Sequence, residues 1–174
     1  MKPALLILTM AFAVLATGCQ TTSVSRLSPP PTKKMERNAK VYIAVPRDGS
    51  YEEHQYEGSG EHVADALDDA FAAYTSNAVI GKQLNSTADA IAAAESKGSQ
   101  YAVVSRIEHW EDRATEWSGI PDRIEVVVEV VAVPDGTQIE KAQITGRSSE
   151  FTFGGDHPQD LLKEPITMFV GSLF

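Results

Sequence analysis

The chain has 174 residues, 43% of them hydrophobic, a single cysteine and a formal charge of −9 at pH 7. That length is one domain's worth of chain, and its core must hold by packing, because one cysteine cannot make an internal disulfide. The acidic balance argues against nucleic acid as a partner, since phosphates demand clusters of Lys and Arg.

The amino end reads as a leader. Lys2 supplies a positive start, Ala4 to Leu15 form a mostly apolar run, and small residues precede Cys19, the order of a secretory signal. The run falls short of the roughly 20 residues a helix needs to cross a bilayer, so residues 1–18 are expected to be a signal peptide rather than a permanent span. Leu15-Ala16-Thr17-Gly18-Cys19-Gln20 resembles the lipobox of bacterial lipoprotein precursors, with Ala16 standing where a larger aliphatic is usual. The resemblance implies that Cys19 is lipidated and that the membrane is a partner through that anchor. Gln20 stands where an aspartate would favour the inner membrane, which implies the outer membrane and a periplasm-facing domain. Each buried methylene contributes about 0.8 kcal/mol, so two or more acyl chains make release negligible.

From Cys19 to Ala39 the chain is polar and contains Pro29-Pro30-Pro31. Such a composition reads as a flexible linker reaching on the order of 60 Å at most. Residues 40–174 are the expected domain.

Val41 to Val45 is apolar on both faces, the pattern of an interior strand, and Pro46 ends it. The stretch from Arg47 to Gly60 exceeds the roughly two to six residues usual for such a connection, so Tyr51 to Tyr56 forms its own extended element or the loop has a job. Val63, Ala66, Leu67, Ala70, Phe71 and Tyr74 share one helical stripe, with Asp65, Asp68 and Asp69 opposite and Ser59 as N-cap. A short strand at Ala78 to Ile80 precedes a second helix, capped by Ser86 or Thr87 and ended by Gly98 in a left-handed conformation. Tyr101 opens a strand running to about Trp110. Ile124, Val126, Val128 and Val130 mark the buried face of the next, and Pro134-Asp135-Gly136 is a hairpin turn into a strand reaching about Glu150. Leu162, Ile166, Phe169, Val170 and Leu173 place a last helix near Pro165. The order β-α-β-α-β-β-β-α predicts an α/β sandwich, one mixed β-sheet with helices packed on it. It is similar in order to the amino-terminal domain of the Tol translocation protein and to the periplasmic core of the curli secretion lipoprotein.

The richest candidate surface is His109 to Gly119, which holds both tryptophans. Trp and Arg most often carry interface energy, so Trp110, Arg113, Glu116 and Trp117 are the expected binding residues for an envelope protein or polymer. The alternative is that they cover one end of the sheet, with the acids paired to Arg113 and Arg123. Gly58, Ser59 and Gly60 at a helix start could hold a small anion on exposed N–H groups. Phe151 to Pro158 reads as a turn in which Asp156 caps the last helix. His54, His62, His109 and His157 could serve a hydrolase or a metal, yet no zinc motif, nucleophile elbow or phosphate loop accompanies them. No catalytic residue, metal or cofactor is therefore expected. The valine-rich strand and its hairpin could pair with a neighbour's sheet edge, although Glu125 and Glu129 oppose that.

Asp48-Gly49-x-Tyr51, Gly58-Ser59-Gly60, the His109 to Gly119 run, and Gly154-Gly155-Asp156-His157-Pro158 with Leu161-Leu162 together resemble a family of short Gram-negative lipoproteins, the domain of unknown function 4823. The resemblance covers essentially the whole domain and implies envelope localisation, without an activity or substrate.

Overall fold

The computed structural model describes residues 20–29, 33–84, 86–113, 120–149 and 157–174. In chain order the elements are β1 (Thr21–Arg26), β2 (Val41–Val45), β3 (Ser50–Tyr51), β4 (His54–Gln55), α1 (Ser59–Phe71), β5 (Ala78–Gln83), α2 (Thr87–Ser96), β6 (Tyr101–Glu111), β7 (Arg123–Ala132) and β8 (Gln138–Arg147), then a 3-10 turn (Pro158–Leu161) and α3 (Lys163–Gly171). Six strands form one mixed sheet in the order β1-β8-β7-β6-β2-β5, and β3 and β4 form a separate small hairpin. Strand β2 is parallel to both neighbours, whereas β6, β7, β8 and β1 run antiparallel in turn. The expected α/β sandwich is the architecture observed.

One face of the sheet carries the main core. Val41, Ile43, Val103, Ile124, Val126, Val128, Val130, Ala142 and Ile144 meet the α1 stripe of Val63, Leu67 and Phe71 and the α3 residues Ile166, Phe169 and Val170. Full burial of such side chains contributes about 1.5–3 kcal/mol each. On the other face α2 lies mainly over β2 and β6, where Ala90 and Ala94 sit on Tyr42, Ala44 and Ala102. The small alanines let this helix approach closely. Beyond it, β7, β8 and β1 present Glu125, Gln143, Thr145 and Ser23 outward, as an antiparallel sheet can.

Several local expectations hold. Ser86 caps α2, its hydroxyl accepting from the Asp89 amide at 3.1 Å. Gly98 and Gly136 are left-handed, with φ of +65° and +70°. Tyr51 and His54 pair in the small hairpin that the long connection allowed.

Other expectations are corrected. The stretch read as a flexible linker contributes β1, which pairs with β8 from Thr21↔Arg147 to Arg26↔Ala142, and Met35 and Ala39 join the core. An edge strand needs backbone partners and only alternate burial, so its polar composition does not keep it from ordering. The cap of α1 is Gly58 at φ +84°, and Ser59 is the first helical residue. The valine-rich strand, β7, lies between β6 and β8 and has no free edge to offer a neighbour. Strand β5 extends to Gln83 and forms one rim of the sheet. Residue Asp156, read as a helix cap, lies outside the described residues; the 3-10 turn is capped instead by His157, whose backbone N–H donates to Asp160 Oδ2 at 3.0 Å.

Candidate functional site

The two glycine-containing motifs meet. Asp48 Oδ1 accepts from the Gly60 amide at 2.8 Å, Ser59 Oγ accepts from the Gly49 amide at 2.8 Å and donates to the Tyr56 carbonyl at 2.7 Å. The start of α1, where N–H groups lack helical partners, is thus served by the chain's own carboxylate. Gly58, Ser59 and Gly60 are not a vacant anion site, because Asp48 is the anion. The glycines are required by close approach. A Cβ on Gly60 would lie 2.4 Å from the Pro46 carbonyl oxygen, and one on Gly49 would lie 2.6 Å from Trp110 Cβ and Ile107 Cγ2.

Trp110 is 3% exposed and belongs to the core. It is a core side chain with only an edge at the cleft of His54, His62 and His157, which corrects its reading as an exposed contact residue. The cause is a bulge between Ile107 and His109 in the pairing of β6 with β7. One extra residue exchanges the two faces of a strand, so Trp110 turns inward opposite Ile124 while His109 turns outward opposite Glu125. Glu116 and Trp117 lie outside the described residues, as does Cys19.

Arg113 does take part in a cluster at this end of the sheet. Its Nε is ion-paired to Glu111 Oε1, His109 Nε2 lies 3.0 Å from Glu111 Oε2, and the Arg113 guanidinium lies 5.5 Å above the Tyr51 ring. The rings of Tyr51 and His109 are 4.8 Å apart. Glu111 is buried, which by itself would raise its pKa, but the hydrogen bonds from His109 and Arg113 outweigh burial and hold the carboxyl below its usual range. The same bond with Glu111 raises the pKa of Arg113 further. Asp122, fully buried, accepts from the Arg113 amide at 2.7 Å. This is a charge-satisfied network that fastens the β3–β4 hairpin to the sheet; its acids and bases already hold one another.

Of the four histidines, His54, His62 and His157 line one open cleft of about 620 Å³ with Asp112 and Tyr56, and His109 stands apart in the cluster with Glu111. Among the described residues no three His, Cys, Asp or Glu side chains converge closely enough to hold a metal ion.

A groove of about 910 Å³ runs between β5 and α2 and is lined by Tyr42, Val79, Ile80, Leu84, Ala93 and Lys97 among others. Tyr42 forms its floor, and a Cβ on Gly81 would come within 2.0 Å of the Tyr42 hydroxyl. Val79 is 37% and Ile80 41% exposed on β5, which among the described strands is hydrogen-bonded to β2 alone. Sequence reasoning missed this feature. Its available signal was the bare apolar pair Val79-Ile80 in a strand too short to be shielded on both sides.

The family model for the domain of unknown function DUF4823 matches residues 33–173. The chain belongs to the DUF4823 family. Among curated proteins none matches it. Two solved structures share the DUF4823 chain's fold with a TM-score of 0.63: the PelC dodecamer from Paraburkholderia phytofirmans, at 17% identity over 89% of this chain and 97% of that one, and a point variant of it, at 16% identity over 88% and 98%. A DUF330-family protein from Xanthomonas campestris aligns at 13% identity over 81% of this chain and 91% of that one, with a TM-score of 0.48.

Proposed function

We propose that this protein is an outer-membrane lipoprotein, anchored through Cys19 and facing the periplasm, whose domain is a non-catalytic scaffold subunit that assembles with further copies of itself along β5. The observation that carries the reading is the open rim: among the described strands β5 has β2 as its single neighbour, and it carries exposed Val79 and Ile80 beside an apolar groove. Such an edge is a template for pairing with another chain. Strand β5 also carries Lys82, without an acidic residue along its length to repel a neighbour. Support comes from the fold shared with a protein that is described as a dodecamer, and from the order of leader, lipobox and folded domain in the sequence.

The test is sedimentation of the detergent-solubilised lipoprotein, with cross-linking in intact cells. The native protein should sediment above the monomer mass, and Ile80→Lys should reduce it to a folded monomer. A native protein that stays monomeric over a wide concentration range, and yields no self-cross-links in cells, would defeat the assembly reading. Mass spectrometry of the natural product tests the anchor separately.

A further inference from the structure

We infer that the sheet end formed by the start of β1, the end of β8 and the start of β7 lies against the phospholipid headgroups, with Arg147 and Arg123 as its phosphate contacts. This rests on the proposed lipidation of Cys19 and goes beyond it by fixing which side of the domain meets the bilayer.

The argument begins with chain length. Thr21, the first residue of β1, is two positions after Cys19, and consecutive Cα atoms are about 3.8 Å apart. Its Cα therefore stands within about 8 Å of the acylated residue. Strand β1 is not a loose arm. All six of its residues are in register with β8, Ser23 Oγ lies 2.8 Å from Thr145 Oγ1, and Arg26 Nε lies 2.9 Å from the buried Glu140 carboxylate. A lipid on Cys19 is consequently joined to the rim of a rigid sheet rather than to a long tether.

Register then says what else is at that depth. Thr21 pairs with Arg147, Arg147 with Arg123, and Arg123 with Glu111. At roughly 4.8 Å between strands, Arg147 and Arg123 lie about 5 and 10 Å along the row from Thr21. Both are exposed; Arg123 pairs with Glu125, and Arg147 has a partner of its own. Among the described acids beside them, Glu125 is paired to Arg123, Glu111 is held by His109 and Arg113, and Asp122 is fully buried. Ile120, just before β7, is 44% exposed. The polar headgroup layer is about 5–7 Å deep on each side of a bilayer, and guanidinium groups engage phosphate oxygens in pairs. An acidic body pinned this close to a lipid surface thus presents its outward arginines to it. The Pro134 to Gly136 turn is at the far end of β7, about 30 Å away for a strand of this length.

The experiment uses the full lipoprotein, processed in cells and reconstituted into vesicles of phosphatidylethanolamine and phosphatidylglycerol. Acylation blocks the native thiol, so Ile120→Cys and Asp135→Cys each introduce the only reactive one. A fluorophore at 120 should lose emission to a headgroup-level nitroxide lipid, and one at 135 should keep it. Inserting a flexible twelve-residue segment before Thr21 should restore emission at 120, and R123E with R147E should do so in part. Equal quenching at both positions, or quenching only at 135, with Cys19 shown by mass spectrometry to be acylated, overturns the orientation alone. An unmodified Cys19 overturns the anchor and the orientation together.

Discussion

Arg26 Nε lies 2.9 Å from Glu140 Oε1, joining the edge strand β1 to a carboxylate that is 1% exposed inside the domain. Ser172, at the end of α3, reaches the other oxygen of the same carboxylate at 3.4 Å. Glu140 is therefore a node that the first strand and the last helix share. Removing one partner of a buried pair leaves an uncompensated charge, at a cost of about 3–5 kcal/mol in a dry site. Arg26 is 40% exposed, so water screens part of this, and Arg26→Ala should cost about 2 kcal/mol. Hydrogen exchange should show protection lost across Thr21–Arg26 before it is lost in β7.

The clasp between the Asp48-Gly49 and Ser59-Gly60 segments should respond to two substitutions in different degree. Asp48→Ala removes a cap from α1 and should cost about 1 kcal/mol. Gly49→Ala drives a methyl into Trp110 and Ile107 and should cost about 1–3 kcal/mol, with a shift in tryptophan emission. Urea unfolding of both variants checks the ranking; an Asp48→Ala loss equal to that of Gly49→Ala would contradict it.

At Gly81 the same steric reasoning bears on the groove. An added Cβ meets the ring of Tyr42, which is buried. Gly81→Ala should lower stability by about 1–3 kcal/mol and should weaken self-association measured by sedimentation at protein concentrations where the domain remains folded.

The pH dependence of stability has two contributions of opposite sign. Glu111 titrates lower in the folded protein than its ordinary value of 4.5, so the unfolded chain binds more protons in that window. Its stabilisation is present above 4.5 and is lost as pH falls through the folded value. Glu111→Gln should cost about 1–3 kcal/mol at neutral pH and should flatten the acid limb of the stability curve. Asp68 behaves in reverse, because burial and the neighbouring Asp69 and Asp65 raise its pKa above 3.8. Its charged form opposes folding, and Asp68→Asn should stabilise the protein at neutral pH, with the gain vanishing in acid. Denaturation midpoints across the pH range check both.

Local patterns carried the sequence reading as far as single elements. The stripe on α1, the Ser86 cap, the left-handed Gly98 and the Pro134 to Gly136 turn each depend on residues a few positions apart, and each is where it was predicted. What could not be read depends on long-range pairing. Strand β1 is polar and acquires order only from β8, with 122 positions separating Ser23 from Thr145. Trp110 reads as an outward residue if the alternation begun at Tyr101 is continued, and a single bulge reverses it. The Gly58-Ser59-Gly60 segment looked open to a ligand because its own anion, Asp48, comes from another part of the loop.

The two rims of the sheet are unlike. Strand β5 closes a parallel pair and β1 an antiparallel one, at opposite ends of the strand order. A contact that joins β5 of one copy to β5 of the next satisfies both at once and stops at two. A contact between unlike rims has a head and a tail, so it repeats with the same turn at every step, and whether it ends in a ring or runs on as a filament is decided by that angle alone.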